Sequence, residues 1–309
     1  MSPSAGAPAP ARSAAEWTQH RERGHPILLR LMTRLSLLIG RRASRVLLYG
    51  IAGYFFLCAP RARRASLAFL PRALGRPARA ADRFRHVLSF ATVIHDRLFL
   101  LNDRYALFDI AIEGEALMVE QQRSGEGAFL IGAHLGSFEV TRAIGRRQRG
   151  LRVAMLMYAD NAHHISAMLA AINPSAALET VPLGSLEAML KVRALLEQGV
   201  FVGMLADRTP GEEESVTVPF LGHPARFPTG PLRAAALLGR RVFLMLGLYL
   251  GGNRYRVVFE PLADFSGVPA AGRDEAVRAA VVSYARRLEE HCRRHPYNWF
   301  NFYRFWSDD

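Results

Sequence analysis

From residue 108 onward the chain alternates short apolar runs with stretches of helical spacing, and this alternation constrains the fold more than any other feature. Runs of this length, too short for a helix and bounded by turn residues, read as strands; the longer stretches with apolar residues three and four apart read as helices. Strands are expected at 108–112, 128–133, 152–157, 200–205, 242–249 and 255–259. Helices are expected at 137–147, 162–172, 185–197, 230–238 and 274–295, and a longer one at 80–101 carries Phe84, Val87, Leu88, Ala91, Ile94, Leu98 and Leu101 on one face, read as core. Strands interleaved with helices imply an α/β fold, a central mixed sheet wrapped by helices.

The chain begins differently. Residues 1–25 are rich in Ala, Pro, Ser and Gly at the outset and read as a flexible tail. Residues 26–79 read as an N-terminal helical, membrane-associating region and 80–309 as the main domain. Two apolar stretches fill 27–59. The first is broken by Arg30 and Arg34, and the second, 46–59, is shorter than the roughly 20 residues that cross a bilayer core. Arg41, Arg42 and Arg45 precede the second stretch and Arg61, Arg63 and Arg64 follow it, a pattern suited to a helix lying in an anionic interface. A helical hairpin buried against the main domain is the alternative.

A net charge of +13 points to acidic partners: nucleic acid, anionic lipid or an acidic carrier protein. The arginines are scattered and flank apolar stretches rather than joining stacking aromatics on one face, which argues against nucleic acid. Cys58 and Cys292 are far apart, and no Cys/His spacing suits zinc, so a reducing compartment and no metal are expected. No basic stretch followed by an apolar run and cleavage site marks a signal peptide, which leaves the main domain in the cytoplasm. His163–His164 lacks acidic or cysteine partners at ligand spacing and is read as surface.

The chemistry-bearing stretch is Gly-Ala-His-Leu-Gly-Ser-Phe-Glu, 132–139. His134 follows an apolar strand where active groups of α/β folds collect. Glu139 falls in the first turns of the next helix, where the helix dipole favours a carboxylate, and from there it is expected to hold the imidazole. A neutral imidazole so oriented acts as a general base, contributing about 10²- to 10⁴-fold. Ser137 is not in a Gly-x-Ser-x-Gly nucleophile elbow.

The His-x-x-x-x-Glu pattern, with the strand before it and Gly-Ser-Phe-Glu within it, resembles the bacterial lipid A biosynthesis (lauroyl/myristoyl) acyltransferase family, related to the glycerolipid His-x4-Asp/Glu acyltransferases. The resemblance continues through Gly199-Val-Phe-Val-Gly-Met-Leu-Ala-Asp207-Arg208, Val218-Pro-Phe-Leu-Gly-His-Pro-Ala-Arg226-Phe-Pro-Thr229-Gly230-Pro231 and the closing Pro296-Tyr-Asn-Trp-Phe-Asn-Phe-Tyr-Arg-Phe-Trp306. It implies transfer of a fatty acyl chain from an acyl carrier protein thioester, or acyl-CoA, to a hydroxyl of a membrane lipid or glycolipid. The thioester is a co-substrate and no cofactor is implied. His134 would be the base and Glu139 its partner, with Asp207, Arg208, Arg226, Thr229 and Gly230 binding substrate. An acyl carrier protein, an anionic membrane surface and a lipid acceptor would be the partners, at the cytoplasmic face of a bacterial inner membrane. Many lipid A members have Gln or His where Arg208 stands, which leaves the acceptor open among lipid A-like, other envelope and polyene-type lipids. Trp299, Tyr303 and Trp306 are read as core or interfacial aromatics. An esterase or thioesterase using the same His/Glu pair is the rival enzyme, and a basic nucleic-acid-binding protein the rival of another class.

Overall fold

The computed structural model describes residues 26–141, 151–176, 179–209 and 214–306. The tail at 1–25, the end of the helix expected at 137–147 and the arginines 146, 147 and 149 lie outside these, as do the side chains of His163 and His164.

The sheet contains β1 (Asp109–Glu113), β2 (Phe129–Gly132), β3 (Val153–Tyr158), β4 (Thr180–Leu183), β5 (Phe201–Leu205), β8 (Arg241–Gly251) and β9 (Arg254–Asp264), in the order β1-β9-β8-β2-β5-β3-β4. Only the β8–β9 pair is antiparallel, so the sheet is mixed. All of β2 is buried, because parallel strands covered on both faces must be apolar throughout. Phe129 and Ile131 enter the core on one face while Ala128 and Leu130 enter the core on the other, following the two-residue period of a strand. The covering helices include α4 (Ala80–Leu101), α5 (Glu115–Arg123), α6 (Ala159–Ile172), α7 (Leu186–Glu197), α8 (Gly230–Leu237) and α9 (Arg273–Arg294), and a further helix begins at residue 138. The Ser185 hydroxyl caps α7 by accepting the Ala188 N–H at 3.1 Å.

Three elements have no clear signal in the sequence. Strand β4, Thr-Val-Pro-Leu, is a sheet edge where Pro182 is tolerated. Helix α5 buries only Met118 and Gln121, too little for a periodic stripe. The third is a hairpin outside the sheet, β6 (Ser215–Phe220) with β7 (His223–Pro228), turned by Leu221 and Gly222 at φ 53° and 84°.

Helices α1 (Pro26–Ile39), α2 (Arg41–Cys58) and α3 (Pro60–Leu74) precede this domain. Helix α2 packs on α4 with its more polar side, burying Arg41, Ser44, Leu48 and Ala52. The Arg41 guanidinium makes two 2.7 Å hydrogen bonds to Asp96 and a third, of 2.8 Å, to the Gly252 carbonyl. The Tyr255 hydroxyl donates to Asp96 at 2.8 Å, so Asp96 is matched on both sides. The opposite side of these helices is apolar and outward: Leu38 is 83%, Val46 70% and Leu57 70% exposed. Among the described residues no single helix is long and apolar enough to cross a membrane, and α2 with α3, which together reach that composition, bend by 91°.

Helix α4 departs from the expected amphipathic pattern. Ile94 is exposed, whereas His86, Ser89, Thr92, His95 and Asp96 are buried. The helix is covered by α2 and α3 as well as by β8, and its buried polar groups include several with partners, such as the His95 Nε2 at 2.8 Å from the Ser44 hydroxyl.

Candidate functional site

Parallel strands β2 and β5 are adjacent, with Gly132 opposite Leu205. The pairing runs one step further, where the Ala206 N–H donates to the Gly132 carbonyl. Residues two positions past the paired ends are therefore brought side by side. They are His134 and Asp207, whose Nδ1 and Oδ1 are 2.8 Å apart. The backbone N–H of His134 donates to the other oxygen, Oδ2, at 2.9 Å.

The chain after His134 is held between β8 and the C-terminal segment. Gly136 and Ser137 donate backbone N–H groups to the Asn298 and Gly247 carbonyls, at 2.9 and 2.7 Å, and Phe300 donates to the His134 carbonyl at 2.7 Å. This crossing requires two glycines. Gly136 has φ 83°, and a Cβ there would lie 2.0 Å from the Gly247 carbonyl oxygen; a Cβ on Gly247 would lie 2.0 Å from that of Ser137.

Asp207 has no exposed surface, while the His134 side chain keeps 27% of its own. Burial alone would raise the Asp207 pKa; the neighbouring imidazole, hydrogen bonds from His134 and the Arg208 charge outweigh it and hold the carboxyl below its ordinary value. An ionised carboxylate only accepts, so Nδ1 carries the proton that it donates to Asp207 and, in the neutral ring, Nε2 keeps a free lone pair. Burial and the Arg208 charge lower the His134 pKa, against the pull of Asp207. The ring is thus neutral at pH 7. Among the described residues Nε2 has no partner, and the pair can take a proton from a group placed against it.

Glu139 does not hold the imidazole, contrary to the expectation from its spacing. Its Oε1 lies 2.7 Å from Arg97 Nε of α4, and its Oε2 accepts from the Ser137 hydroxyl at 3.2 Å. The left-handed turn at Gly136 directs the start of the next helix, and Glu139 with it, toward α4.

The other expected residues divide. Arg208 stands beside the pair, its Nε donating to Asn301 Oδ1 at 2.9 Å and its guanidinium lying 5.3 Å from the centre of the Tyr303 ring. Arg226 is on β7, with its Nε donating to the Ser215 hydroxyl and its carbonyl accepting from Thr209. Buried Thr229 gives both its N–H and its hydroxyl to the Glu214 carbonyl, and Gly230 opens α8. Among the described residues no contact joins Arg226, Thr229 or Gly230 to His134.

The closing aromatic block packs inward, the core alternative of its two readings, and Trp299, Asn301 and Tyr303 of it meet Asp207. Trp299 and Trp306 are 1% and 2% exposed, and Tyr303 donates to the Asp207 carbonyl at 3.3 Å. Trp299 Nε1 and Asn301 Nδ2 donate to Asp207 Oδ2 at 3.0 and 2.9 Å. Asn298 spans β8, receiving the Tyr249 N–H and donating to its carbonyl. These residues and Arg97 escape a reading by spacing. Their signal was asparagine within an aromatic run, since an amide buried there must find partners.

Comparison with curated individual proteins gives no match. The family described as bacterial lipid A biosynthesis acyltransferase matches residues 84–308, a span that holds His134, Asp207, Arg208 and the closing aromatic block. By this match the chain belongs to the bacterial lipid A biosynthesis acyltransferase family and is an acyltransferase that acts on lipid.

Proposed function

We propose that the protein transfers a fatty acyl chain from a thioester, on acyl carrier protein or coenzyme A, to a hydroxyl of a membrane lipid or glycolipid, with His134 as general base and Asp207 as its orienting partner. The observation that carries this reading is the asymmetry of the imidazole: Nδ1 is tied to a buried carboxylate, whereas Nε2 has no partner among the described residues in a side chain that keeps 27% of its surface exposed. Nε2 removes the acceptor's hydroxyl proton as its oxygen attacks the thioester carbonyl. The tetrahedral intermediate collapses, the carbon–sulfur bond breaks, and the imidazolium returns the proton to the leaving thiolate. Asp207 stays ionised and stabilises the imidazolium. Arg208, or backbone amides where the helix starts at residue 138, stabilises the oxyanion. Glu139 keeps a supporting role, tying that helix start to Arg97.

The outward apolar side of α1 and α2, within an arginine-rich chain of net charge +13, supports docking on an anionic membrane surface at the cytoplasmic face of a bacterial inner membrane. The same charge favours encounter with an acidic acyl carrier protein. Residues 26–79 form the membrane-associating region in this reading, and residues 80–309 the acyltransferase domain.

The test incubates the purified protein with acyl carrier protein thioester and a bacterial lipid extract and follows products by mass spectrometry. A lipid heavier by one acyl chain, formed with free carrier and absent with His134→Ala, is expected. Fatty acid released without an acylated lipid would make the protein a thioesterase and overturn the proposal.

A further inference from the structure

Asp207 is held by more than His134. Its Oδ1 accepts from His134 Nδ1, and its Oδ2 accepts from the His134 N–H, Trp299 Nε1 and Asn301 Nδ2, at 2.9, 3.0 and 2.9 Å. Four donors on two sides of the carboxylate, three of them converging on Oδ2, oppose its rotation about the Cβ–Cγ bond. Two of them come from a segment more than ninety residues downstream, which also pairs with the backbone around the base through the Leu135–Trp299 bridge. Asn301 uses its other amide atom to accept from Arg208, so one side chain locates both the orienting carboxylate and the nearest cation.

We propose that Trp299 and Asn301 are positioning residues: the C-terminal segment completes the site by locking Asp207 in the orientation in which it holds His134. This rests on the reading of His134 and Asp207 as the catalytic pair, although the lock itself can be measured without turnover.

Removing one donor leaves the Asp207 charge less satisfied, so it draws a proton to the imidazole more strongly. Losing Asn301 also frees Arg208, whose charge opposes protonation of His134. Both changes act in the same direction. The other groups that act on the pair stay as they are, Tyr303 from the same segment and Tyr284 and Cys292 from α9, and the Glu139–Arg97 ion pair is untouched. Tyr284 is fixed by donating to the Gly132 carbonyl.

The experiment is histidine ring NMR on the full chain, with His134 assigned through His134→Gln, for the wild type, Trp299→Phe, Asn301→Leu and the control Trp306→Phe. Trp306 lies in the same aromatic cluster, 6.0 Å from Trp299, but its indole N–H donates to the Phe220 carbonyl. The His134 titration is expected to move up by about half a unit or more in Trp299→Phe and Asn301→Leu and to stay in place in Trp306→Phe. The acid limb of the kcat/KM profile should move with it. Wild-type His134 titration in both Asn301→Leu and Trp299→Phe, or an equal shift in Trp306→Phe, would overturn the proposal and leave the segment a packing role. Full activity in His134→Ala would instead sink the catalytic reading while the NMR result still judged the lock.

Discussion

His86 and Trp299 are 213 residues apart in the chain and joined by a 2.8 Å hydrogen bond between the His86 Nε2 and the Trp299 carbonyl. A carbonyl only accepts, so Nε2 carries the proton, and Nδ1 accepts from the Ser66 hydroxyl at 3.0 Å. The neutral ring is therefore built into the contact between α4, α3 and the segment that holds Asp207. Burial lowers the His86 pKa from 6.5 to about 4, against the opposing effect of the Trp299 carbonyl.

A stability loss in mild acid follows. The folded-state value lies below the unfolded one, so the unfolded chain binds more protons between them. This contribution is fully present above about pH 6.5 and is lost as pH falls through about 4, amounting to about 3 kcal/mol. Urea unfolding of the wild type and His86→Gln at pH 7.5, 5.5 and 4.5 measures it. The wild type should lose about 2 to 3 kcal/mol more than the variant across that range. Parallel pH dependences would contradict the assignment.

The Arg41–Asp96 pair fastens α2 to α4, and Arg41 is 7% and Asp96 0% exposed. Asp96→Asn leaves a buried guanidinium without its counter-charge and should destabilise the protein by about 3 to 5 kcal/mol, with protease cleavage appearing first around α2. A double change, Arg41→Met with Asp96→Leu, removes both charges and should recover part of the loss. A double variant less stable than Asp96→Asn would count against this account.

Gly136→Ala should damage activity more than its size implies. The new Cβ would need both the left-handed backbone and space occupied by the Gly247 carbonyl. The backbone cost alone is about 1–2 kcal/mol, and the displaced strand also carries His134. A fall in kcat/KM of more than about tenfold is expected, because small misplacements of a reacting group are costly. Wild-type kinetics in this variant would show that the crossing does not position the base.

Most of the sheet was legible because its strands are buried on both faces and read as apolar runs, Phe129-Leu-Ile and Phe201-Val above all. Strand β4, helix α5 and the β6–β7 hairpin lacked that signal, since each buries little or sits away from the sheet. In the site, His134 was legible from its place after β2. Its partner was not, because spacing along the chain favours a carboxylate five residues away, whereas the register of β2 with β5 delivers one 73 residues away. The usable signal was positional: His134 and Asp207 each stand just past an apolar run. The closing segment was legible only as a choice between core and interface, since aromatic content alone does not distinguish lipid contact from the packed wall around two asparagines that Trp299 and Trp306 form.

The exposed apolar side of α1 and α2 gives a separate test. Leu38→Glu with Val46→Glu alters residues that are 83% and 70% exposed, so folding should be unaffected. Binding to vesicles containing anionic phospholipid, followed by co-sedimentation, should fall at least tenfold, because each change puts a charge where exposed apolar area would enter the bilayer interface. Unchanged vesicle binding would mean that another surface meets the membrane.

The central claim is that Asp207, and not Glu139, orients His134. The most direct measurement is the pH dependence of kcat/KM with acyl carrier protein thioester and the acylated lipid identified in extract, for Asp207→Asn beside Glu139→Gln. Asp207→Asn should lower the rate by about 10²- to 10⁴-fold, because the neutral amide stabilises neither the imidazolium nor the required tautomer. Glu139→Gln should lose stability through the Arg97 ion pair yet keep the acid limb of the profile where the wild type has it. A near-normal rate in Asp207→Asn, together with a displaced acid limb in Glu139→Gln, would contradict the account.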